Sequence, residues 1–262
     1  MSRRTRTSQP EVSVVIPTLN RLKHLKRAVA SVREDTGCAH EIVVVDGGSR
    51  DGTRPWLRHG AGANVRAMFE RGPAGAVRAF NRGFRAARGK YLMWLNDDAE
   101  VLPYAIDNAL HFLSVPANRD VGLVAFYHTW DSPRNLSASI EVEGVRYGVY
   151  NLRGVLYANF GLGRASLFRR LKYFDEGFRF FGADPDFSLR VWRAGKRVAA
   201  CPGSLVRHRE LRDARKRASL AQAEADNARL FRKWKLPVLP GHGYYLAREK
   251  GKKGRKRRSS GR

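Results

Sequence analysis

The sequence predicts one α/β domain with a mostly parallel central sheet and helices on both of its faces. Short β-branched runs alternate with segments whose apolar residues have helical spacing, which is typical of parallel strands joined by crossover helices. The chain has 262 residues, of which 43% are hydrophobic, so it can bury a sizeable core. Both observations favour a folded domain over a disordered chain.

The first hundred residues contain the clearest elements. A β-branched run at 12–16, ended by Pro17, predicts a buried strand, and Asn20 is predicted to cap the helix that follows. The apolar stripe of that helix comprises Leu22, Leu25, Val29 and Val32. Further strands are predicted at 42–45, 65–69 and 91–95, with a small-residue helix at 74–87.

The middle of the chain is less regular. A helix is predicted at 105–113 and an apolar strand at 121–126. Weak alternation of apolar and polar residues over 140–152 then predicts antiparallel strands at an edge of the sheet. We expect the region 128–160, which contains them, to form a wall of the substrate site.

Two more helices are predicted towards the end of the chain. Asp184 and Pro185 have the residue types of an N-cap and a first helical position, and Gly195 is the natural end of that helix. A long polar helix with few apolar anchors is predicted at 214–234.

The charge of the chain is large and unevenly distributed. Fifty Lys and Arg against 24 Asp and Glu leave a formal net charge of +26. We expect a basic arm at 1–10, a main domain at 11–210, a helical extension at 211–248 and a disordered basic tail at 249–262, which has no apolar residue. Such a surface attracts polyanions, so an anionic membrane and nucleic acid are both candidate partners.

Cysteine content and hydropathy exclude several classes of protein. Cys38 and Cys201 are the only cysteines, which excludes a disulfide framework and a four-thiolate zinc site. A reducing, cytoplasmic setting fits this best. No apolar run approaches the roughly 18 residues of a membrane span, and residues 1–10 lack the apolar stretch of a secretory signal.

Polar residues follow two of the predicted strands. In parallel α/β sheets, ligands bind beyond the carboxyl ends of the strands. Asn96, Asp97 and Asp98 lie there, and two carboxylates with an amide suit Mg²⁺ or Mn²⁺, although an ordinary solvated turn has the same composition. Asp46 begins a glycine-rich turn at 46–53 and could accept a hydrogen bond from a ribose or a base, which alone is a weak signal.

A third candidate group lies at 181–187, with His208 downstream. Asp184 at a helix start facing a cleft could act as a general base. The alternative is that Asp184 only caps its helix, in which case backbone donors would lower its pKa and its basicity.

Four segments, in this order, resemble the inverting glycosyltransferases of family 2, which have the A-type glycosyltransferase (GT-A) fold. The segments are VSVVIPTLN at 12–20, EIVVVDGGSRDGT at 41–53, GKYLMWLNDDAEV at 89–101 and FDEGFRFFGADPDFSLRVWRAGKRV at 174–198. The resemblance covers roughly residues 11–210 and implies a single Rossmann-like GT-A domain. It also implies a nucleoside-diphosphate sugar as donor and Mn²⁺ or Mg²⁺ as cofactor.

The resemblance assigns a role to each candidate residue. Asp184 is implied as the base that takes the proton of the acceptor hydroxyl, and Asp186 as a residue that contacts the acceptor or orients the helix. The implied metal residues are Asn96, Asp98 and His208. The implied donor-binding residues are Pro17, Thr18, Asn20, Asp46, Arg78, Asn81 and Asp97.

Three positions depart from the family pattern. Ala183 replaces the first residue of the family's acidic pair, Asn96 replaces the first aspartate of the metal motif, and Pro185 directly follows the expected base. A non-catalytic, polyanion-binding relative therefore stands as one alternative.

The acceptor is expected to be a glycan or glycolipid of envelope synthesis, reached at the inner face of the membrane. The other alternative is an acceptor in nucleic acid, such as a modified DNA base, held by the basic segments 207–217 and 249–262.

Overall fold

The computed structural model describes residues 9–129, 135–152, 154–209, 211 and 214–235. The predicted tail at 249–262, most of the predicted arm at 1–10 and the end of the predicted extension at 211–248 lie outside these residues.

The first half of the chain forms a parallel sheet. Strands β1 to β4 run in the spatial order β3-β2-β1-β4, and every neighbouring pair is parallel. Val15 at the centre of β1 pairs with Val43 on one side and Trp94 on the other. The elements are β1 (Val12–Thr18), α1 (Leu22–Glu34), β2 (His40–Asp46), α2 (Thr53–His59), β3 (Val65–Phe69), α3 (Ala76–Ala86) and β4 (Tyr91–Trp94).

The second half extends this sheet with mixed strand directions. Its elements are β5 (Ala99–Val101), α4 (Ala105–Ser114), β6 (Val121–His128), β7 (Leu136–Val142), β8 (Val145–Leu152), β9 (Val155–Tyr157), β10 (Gly161–Arg164), α5 (Ala165–Arg170), α6 (Ala183–Arg193), β11 (Arg197–His208) and α7 (Ala214–Trp234). Strand β10 lies antiparallel between β4 and β6, and β11 is parallel to β6 and antiparallel to β5. The antiparallel strands β7, β8 and β9 join the sheet where β8 meets β6.

The core has one layer on each face of the sheet, because successive side chains of a strand point to opposite faces. Val14 and Ile16 of β1 pack with the apolar sides of α1 and α4. Val15 faces the other way and packs with residues of α3, α5 and α6, among them Phe84 and Phe187. The α/β fold class with helices on both faces is thus confirmed.

The prediction that Asn20 caps α1 is wrong. Asn20 has φ 52°, and its side-chain oxygen accepts the backbone N–H of Arg50. The first N–H of the helix, that of Leu22, instead donates to Asp51 Oδ2 at 2.8 Å. The loops after β1 and β2 therefore form hydrogen bonds with each other. A carboxylate from the second loop also stabilises the positive end of the α1 dipole.

The start of α6 also differs from the prediction. The helix begins at Ala183 after Gly182, whose φ of 77° favours glycine, and no side chain accepts a capping hydrogen bond there. Asp184 is consequently not the N-cap but lies inside the first turn, ahead of Pro185. Its carboxylate is left for other contacts.

Helix α7 is attached to the domain through its second half. The two carboxylate oxygens of Asp226 accept the backbone N–H groups of Arg179, Phe180 and Phe181 at 3.0–3.1 Å. Leu230 is fully buried in the core layer below α6. The loop at 179–181 is thereby tied to α7, although the sequence of this helix indicated few anchors. Neither α7 nor any other helix of the described ranges is both long and apolar enough to cross a membrane.

Replacing Gly83 by alanine is expected to destabilise the domain, although alanine normally favours a helix. A Cβ at this position of α3 would lie 2.2 Å from Val15 Cγ1 and 3.3 Å from Val45 Cγ2, so the helix would have to move off the sheet. We expect a loss of about 1–3 kcal/mol in the free energy of unfolding, measured by denaturant titration. Gly72→Ala is the control, since its Cβ would meet no atom within 4 Å; equal stability of the two variants would contradict the close packing of α3.

Candidate active site

One cavity of about 270 Å³ brings together the polar residues that the sequence singled out for chemistry. It opens beyond the carboxyl ends of β1 and β4, and Asn96, Asp98, Asp184 and His208 all line it. These residues come from the loop after β4, from the first turn of α6 and from the end of β11. The structure therefore places the expected metal residues and the expected base around the same hollow.

The turn after β4 is held by an arginine that the sequence analysis did not single out. Arg21 Nη1 lies 3.0 Å from Asp97 Oδ1 and 3.1 Å from Asp98 Oδ2. Thr18 Oγ1 donates to the other oxygen of Asp97 at 2.9 Å. Asp97 is only 2% exposed, so its carboxylate mainly connects this turn to the end of β1. The position of Arg21 directly after the first motif was the only signal for it.

Asp98 and His208 form the second pair on this side of the cavity. The antiparallel pairing of β5 with β11 sets Ala99 opposite His208 and brings Asp98 Oδ1 to 3.4 Å from His208 Nε2. Desolvation raises the pKa of Asp98, but the hydrogen bond and charge of His208 and the charge of Arg21 outweigh it and lower that pKa to about 2. The carboxylate is therefore ionised throughout the physiological range.

The side chains on this side of the cavity suit a hard divalent cation that keeps some of its water ligands. An ionised carboxylate, an imidazole and the amide of Asn96 are oxygen and nitrogen ligands of the kind that Mn²⁺ and Mg²⁺ accept. Within the described residues, no group of three or more His, Cys, Asp and Glu side chains is arranged to hold a metal ion. A cation at this place would hence complete its coordination with water and substrate oxygens.

Asp184 lies on the opposite side of the cavity from Asp98 and His208. The pKa of its carboxyl group differs from that of a carboxylate that caps a helix. Burial raises its pKa to about 7, the opposite of the lowering that the alternative of a purely capping role implied. Its Oδ2 accepts a hydrogen bond from Asn159 Nδ2 at 3.3 Å, the only side-chain partner recorded for it among the described residues. A carboxyl group with a pKa near neutrality is suited to accept and release a proton.

Asn159 and His128, for which the sequence predicted no role, orient this carboxyl group. Asn159 Oδ1 lies 3.0 Å from His128 Nε2, and its backbone oxygen accepts the indole N–H of Trp94 at 2.7 Å. Burial lowers the pKa of His128 to about 4, so the ring is neutral at pH 7. Nε2 then carries the hydrogen that Asn159 accepts, which turns the amide N–H₂ towards Asp184.

Aromatic side chains form much of the remaining wall. Six Phe and Trp side chains line the cavity, and they limit the access of water to a reacting centre. They are Phe80, Trp94, Phe160, Phe174, Phe180 and Phe181. Asn159, Phe160 and His128 all belong to the region 128–160 that was expected to form a wall.

A second cavity of about 540 Å³ adjoins the first. The two share Pro17, Ala76 and Phe180, and Thr18 lines only the second. The second cavity lies beyond the carboxyl ends of β1, β2 and β3, with Gly47 and Glu70 on its wall. A long ligand could thus span both hollows across Pro17.

Four of the expected donor-binding residues line neither of these cavities, namely Asn20, Asp46, Arg78 and Asn81. Asp46 is fully buried, and its carboxylate accepts from Arg54 Nε at 2.7 Å and from the backbone N–H of Ser49. It organises the turn after β2 rather than facing a ligand. Asn20 is exposed on the outer side of the loops, and Arg78 is exposed beside Glu176.

Asn81 and Asp186 are fully buried, which corrects their predicted contacts with substrate. Asn81 donates to the backbone oxygen of Phe174 and accepts the N–H of the same residue, both at 2.9 Å. Asp186 is paired with Arg190 at 2.9 Å and with Lys233 and Trp234 at 2.8 Å. These contacts connect helix α6 to the end of helix α7.

Comparison with known sequences identifies relatives of this chain. Residues 13–179 match the model of Glycosyl transferase family 2. An uncharacterised glycosyltransferase of Rickettsia typhi is 30% identical over 125 residues, which are 48% of this chain and 39% of that protein. The GalNAc(5)-diNAcBac-PP-undecaprenol beta-1,3-glucosyltransferase of Campylobacter jejuni is 29% identical over 107 residues, 38% of this chain and 34% of that protein.

Solved structures of glycosyltransferases share the fold at low sequence identity. The mannosyltransferase PcManGT of Pyrobaculum calidifontis, in complex with GDP-Man and Mn²⁺, has a TM-score of 0.63 and 17% identity over 89% of this chain and 67% of that one. TarS of S. aureus, residues 1–349 in complex with UDP-GlcNAc, also has a TM-score of 0.63, with 15% identity over 83% of this chain and 64% of that one. The fold is therefore that of the GT-A glycosyltransferases.

Proposed function

We propose that this chain, which belongs to glycosyltransferase family 2, moves a sugar from a nucleoside-diphosphate sugar to an acceptor hydroxyl and inverts the anomeric centre. The observation that carries the proposal is the shared cavity, with Asp98 and His208 on one side and Asp184 on the other. A donor lying between them would present its diphosphate to the first pair and its anomeric carbon to Asp184.

The residues on the diphosphate side fit a divalent cation. Asp98 and His208 would hold it, with Asn96 as a neutral third ligand, and the neighbouring solved complex with Mn²⁺ is consistent with this assignment. Such an ion supplies Lewis-acid stabilisation of the charge on the departing diphosphate. Arg21, which lies 3.1 Å from Asp98, is close enough to add a second positive charge to the same region.

The acceptor side needs one base. As the acceptor oxygen forms its bond to the anomeric carbon, the bond from that carbon to the phosphate oxygen breaks and its electron pair leaves with the nucleoside diphosphate. The hydroxyl proton passes to Asp184, which Asn159 holds in place. Because Asp184 is the only base required, the missing carboxylate at Ala183 does not prevent this chemistry, and the small side chain leaves room in the cavity.

The acceptor is proposed to be a glycan or glycolipid. The Campylobacter relative is named for a polyprenol-linked glycan, and the basic surface of this chain favours an anionic membrane, at about 1 kcal/mol for each Lys or Arg near the lipid. The alternative acceptor in nucleic acid depended on the basic segments 207–217 and 249–262, of which residues 210, 212–213 and 249–262 lie outside the described part of the chain. Both this alternative and the cytoplasmic location stay predictions.

The test uses nucleotide sugars directly. GDP-mannose, UDP-GlcNAc, UDP-glucose and a dTDP-sugar are titrated into the protein with Mn²⁺ by calorimetry, and release of nucleoside diphosphate is then followed with and without polyprenyl-diphosphate-linked saccharides. We expect at least one donor to bind and the acceptor to accelerate its turnover with inversion. Absence of binding by every donor would overturn the proposal, and so would a product that retains the donor's anomeric configuration.

The rate of transfer is expected to depend on pH through Asp184. Only the ionised carboxylate accepts a proton, so kcat/KM should fall about tenfold per pH unit below pH 7 and level off above it. His128 stays neutral over most of this range because its pKa is about 4. The profile is measured from pH 5.5 to 8.5, with donor affinity as the control. A flat profile would remove Asp184 from the role of base.

A further inference from the structure

Glu70 follows β3 directly and is held rigidly at the wall of the second cavity. Its backbone N–H donates to the carbonyl of Asp46 at 2.8 Å, and its own carbonyl accepts from the guanidinium of Arg54. Arg54 also pairs with the carboxylate of Asp46. The ends of β2 and β3 are therefore fixed to each other, and the Glu70 side chain starts from a fixed point.

The carboxylate of Glu70 has one oxygen engaged and one oxygen unsatisfied. Oε1 lies 3.3 Å from Arg82 Nη1, whereas Oε2 is buried and has no hydrogen-bond partner among the described residues. The side chain is only 10% exposed. A buried acceptor without a donor is unfavourable, and a ligand that donated a hydrogen bond to this oxygen would remove that cost.

The wall of the cavity beside Glu70 includes closely packed backbone. Gly47 and Gly75 form part of its wall, and Gly75 has φ 97° and approaches Arg179 so closely that a Cβ would lie 3.2 Å from its backbone oxygen. Phe180, which separates this cavity from the reaction cavity, is fixed through its N–H by Asp226. The wall at Gly75 therefore has little space for a larger side chain, and a cavity of about 540 Å³ is of the size that holds a small-molecule ligand.

We propose that Glu70 accepts hydrogen bonds from the base of the donor and selects guanine, so that the donor is a guanosine-diphosphate sugar. This rests on the function proposed above, in which the diphosphate lies beside Asp98 and the nucleoside extends into the second cavity. A carboxylate is an acceptor at both oxygens. Guanine alone among the common bases offers two adjacent N–H donors, at N1 and N2, that match the two oxygens.

The other bases fit this carboxylate less well. Uracil and thymine have one N–H between two carbonyl oxygens, which the second carboxylate oxygen would repel. Adenine and cytosine each have an amino group next to a ring nitrogen that only accepts hydrogen bonds. Loss of one member of a two-bond contact to a base lowers affinity by about tenfold or more.

The experiment compares nucleoside diphosphates as probes. Dissociation constants of GDP, IDP, UDP, ADP and CDP are measured with Mn²⁺ by calorimetry for the full chain and for Glu70→Gln. Inosine diphosphate lacks only the N2 amino group of GDP, so it isolates one of the two expected hydrogen bonds. Two further variants are controls. Arg82→Gln removes the ion pair with Glu70 but keeps the Glu70 carboxylate. Asp120→Asn removes an exposed ion pair with Arg197, just before β6 begins.

We expect the unaltered protein to bind GDP at least about tenfold more tightly than IDP and the other diphosphates. Glu70→Gln should weaken GDP binding by about tenfold and remove the preference over IDP, whereas both control variants should stay within about threefold of the parent. Equal binding of GDP and UDP, or an unchanged GDP preference in Glu70→Gln, would overturn the base assignment and leave the proposed function standing. Failure of all diphosphates to bind would overturn both.

Discussion

Asp184→Asn is expected to lower the rate of sugar transfer by about 10²–10⁴-fold, the contribution that a positioned general base typically makes. An amide has nearly the same shape as the carboxyl group but cannot accept the acceptor proton. Donor affinity should stay within about threefold, because the residue lies on the acceptor side of the cavity. The measurement is single-turnover kinetics with saturating donor, beside calorimetry for donor binding.

The same substitution should make the protein more stable above neutral pH. Burial raises the pKa of Asp184 to about 7 from an ordinary 3.8, so the folded state disfavours the ionised form that the unfolded chain adopts above pH 4. The stability of the parent therefore falls as pH rises from about 4 to 7, and Asn removes this penalty. We expect Asp184→Asn to gain on the order of 1–3 kcal/mol at pH 8 and nothing near pH 4.

A lower transfer rate together with a higher stability distinguishes the loss of a catalytic base from damage to the fold. A variant that failed to fold would lose activity and stability together. Asp120→Asn serves as the matched control, since its carboxylate is exposed and pairs with Arg197, and neither residue lines the cavity. If Asp184→Asn kept the parent's transfer rate, another group would have to be the base.

Asp98→Asn is expected to have the second largest effect. Removal of the only ionised ligand should weaken Mn²⁺ binding by about 10–100-fold and lower transfer by about 10³-fold, because several kcal/mol of charge stabilisation are lost. Mn²⁺ binding is measured by electron paramagnetic resonance of the free ion, which needs no substrate. Chelation of the metal in the parent protein should cause a comparable loss of transfer.

The matched control for Asp98→Asn is Glu100→Gln. This carboxylate lies two residues further along the chain and pairs with Arg209 outside the two cavities. Its variant should bind Mn²⁺ as the parent does. Undiminished Mn²⁺ binding by Asp98→Asn would place the metal elsewhere or exclude a metal role for this turn.

The fold, and the polar residues that follow β4, could be predicted from the sequence. The strands β1 to β4 are short β-branched or apolar runs with turn residues after them, and polar side chains at their carboxyl ends converge because parallel strands end at one edge. Asn96, Asp98 and Asp184 were located by this reasoning together with the family resemblance. Strand direction alone does not place Asp184, which lies in the first turn of α6, so its position in the same cavity came from the resemblance.

The failures have a physical cause. A polar residue in a conserved-looking position does not reveal which way it faces, and Asp186 lies about 200° around α6 from Asp184, which turns it into the core. Asn81 and Asp46 likewise satisfy buried backbone groups. His128 and Asn159 are adjacent only because β6 and β10 pair, a long-range register that periodicity does not give.

A crystal structure of Asp184→Asn with Mn²⁺ and an intact nucleotide-sugar donor measures the relation between the two sides of the hollow directly. The amide cannot drive turnover, so the donor should survive in the crystal. We predict the diphosphate beside Asp98 and His208 and the anomeric carbon turned towards residue 184, with space for one hydroxyl between them. A donor whose sugar points away from residue 184, or whose diphosphate binds apart from Asp98, would contradict the proposed reaction.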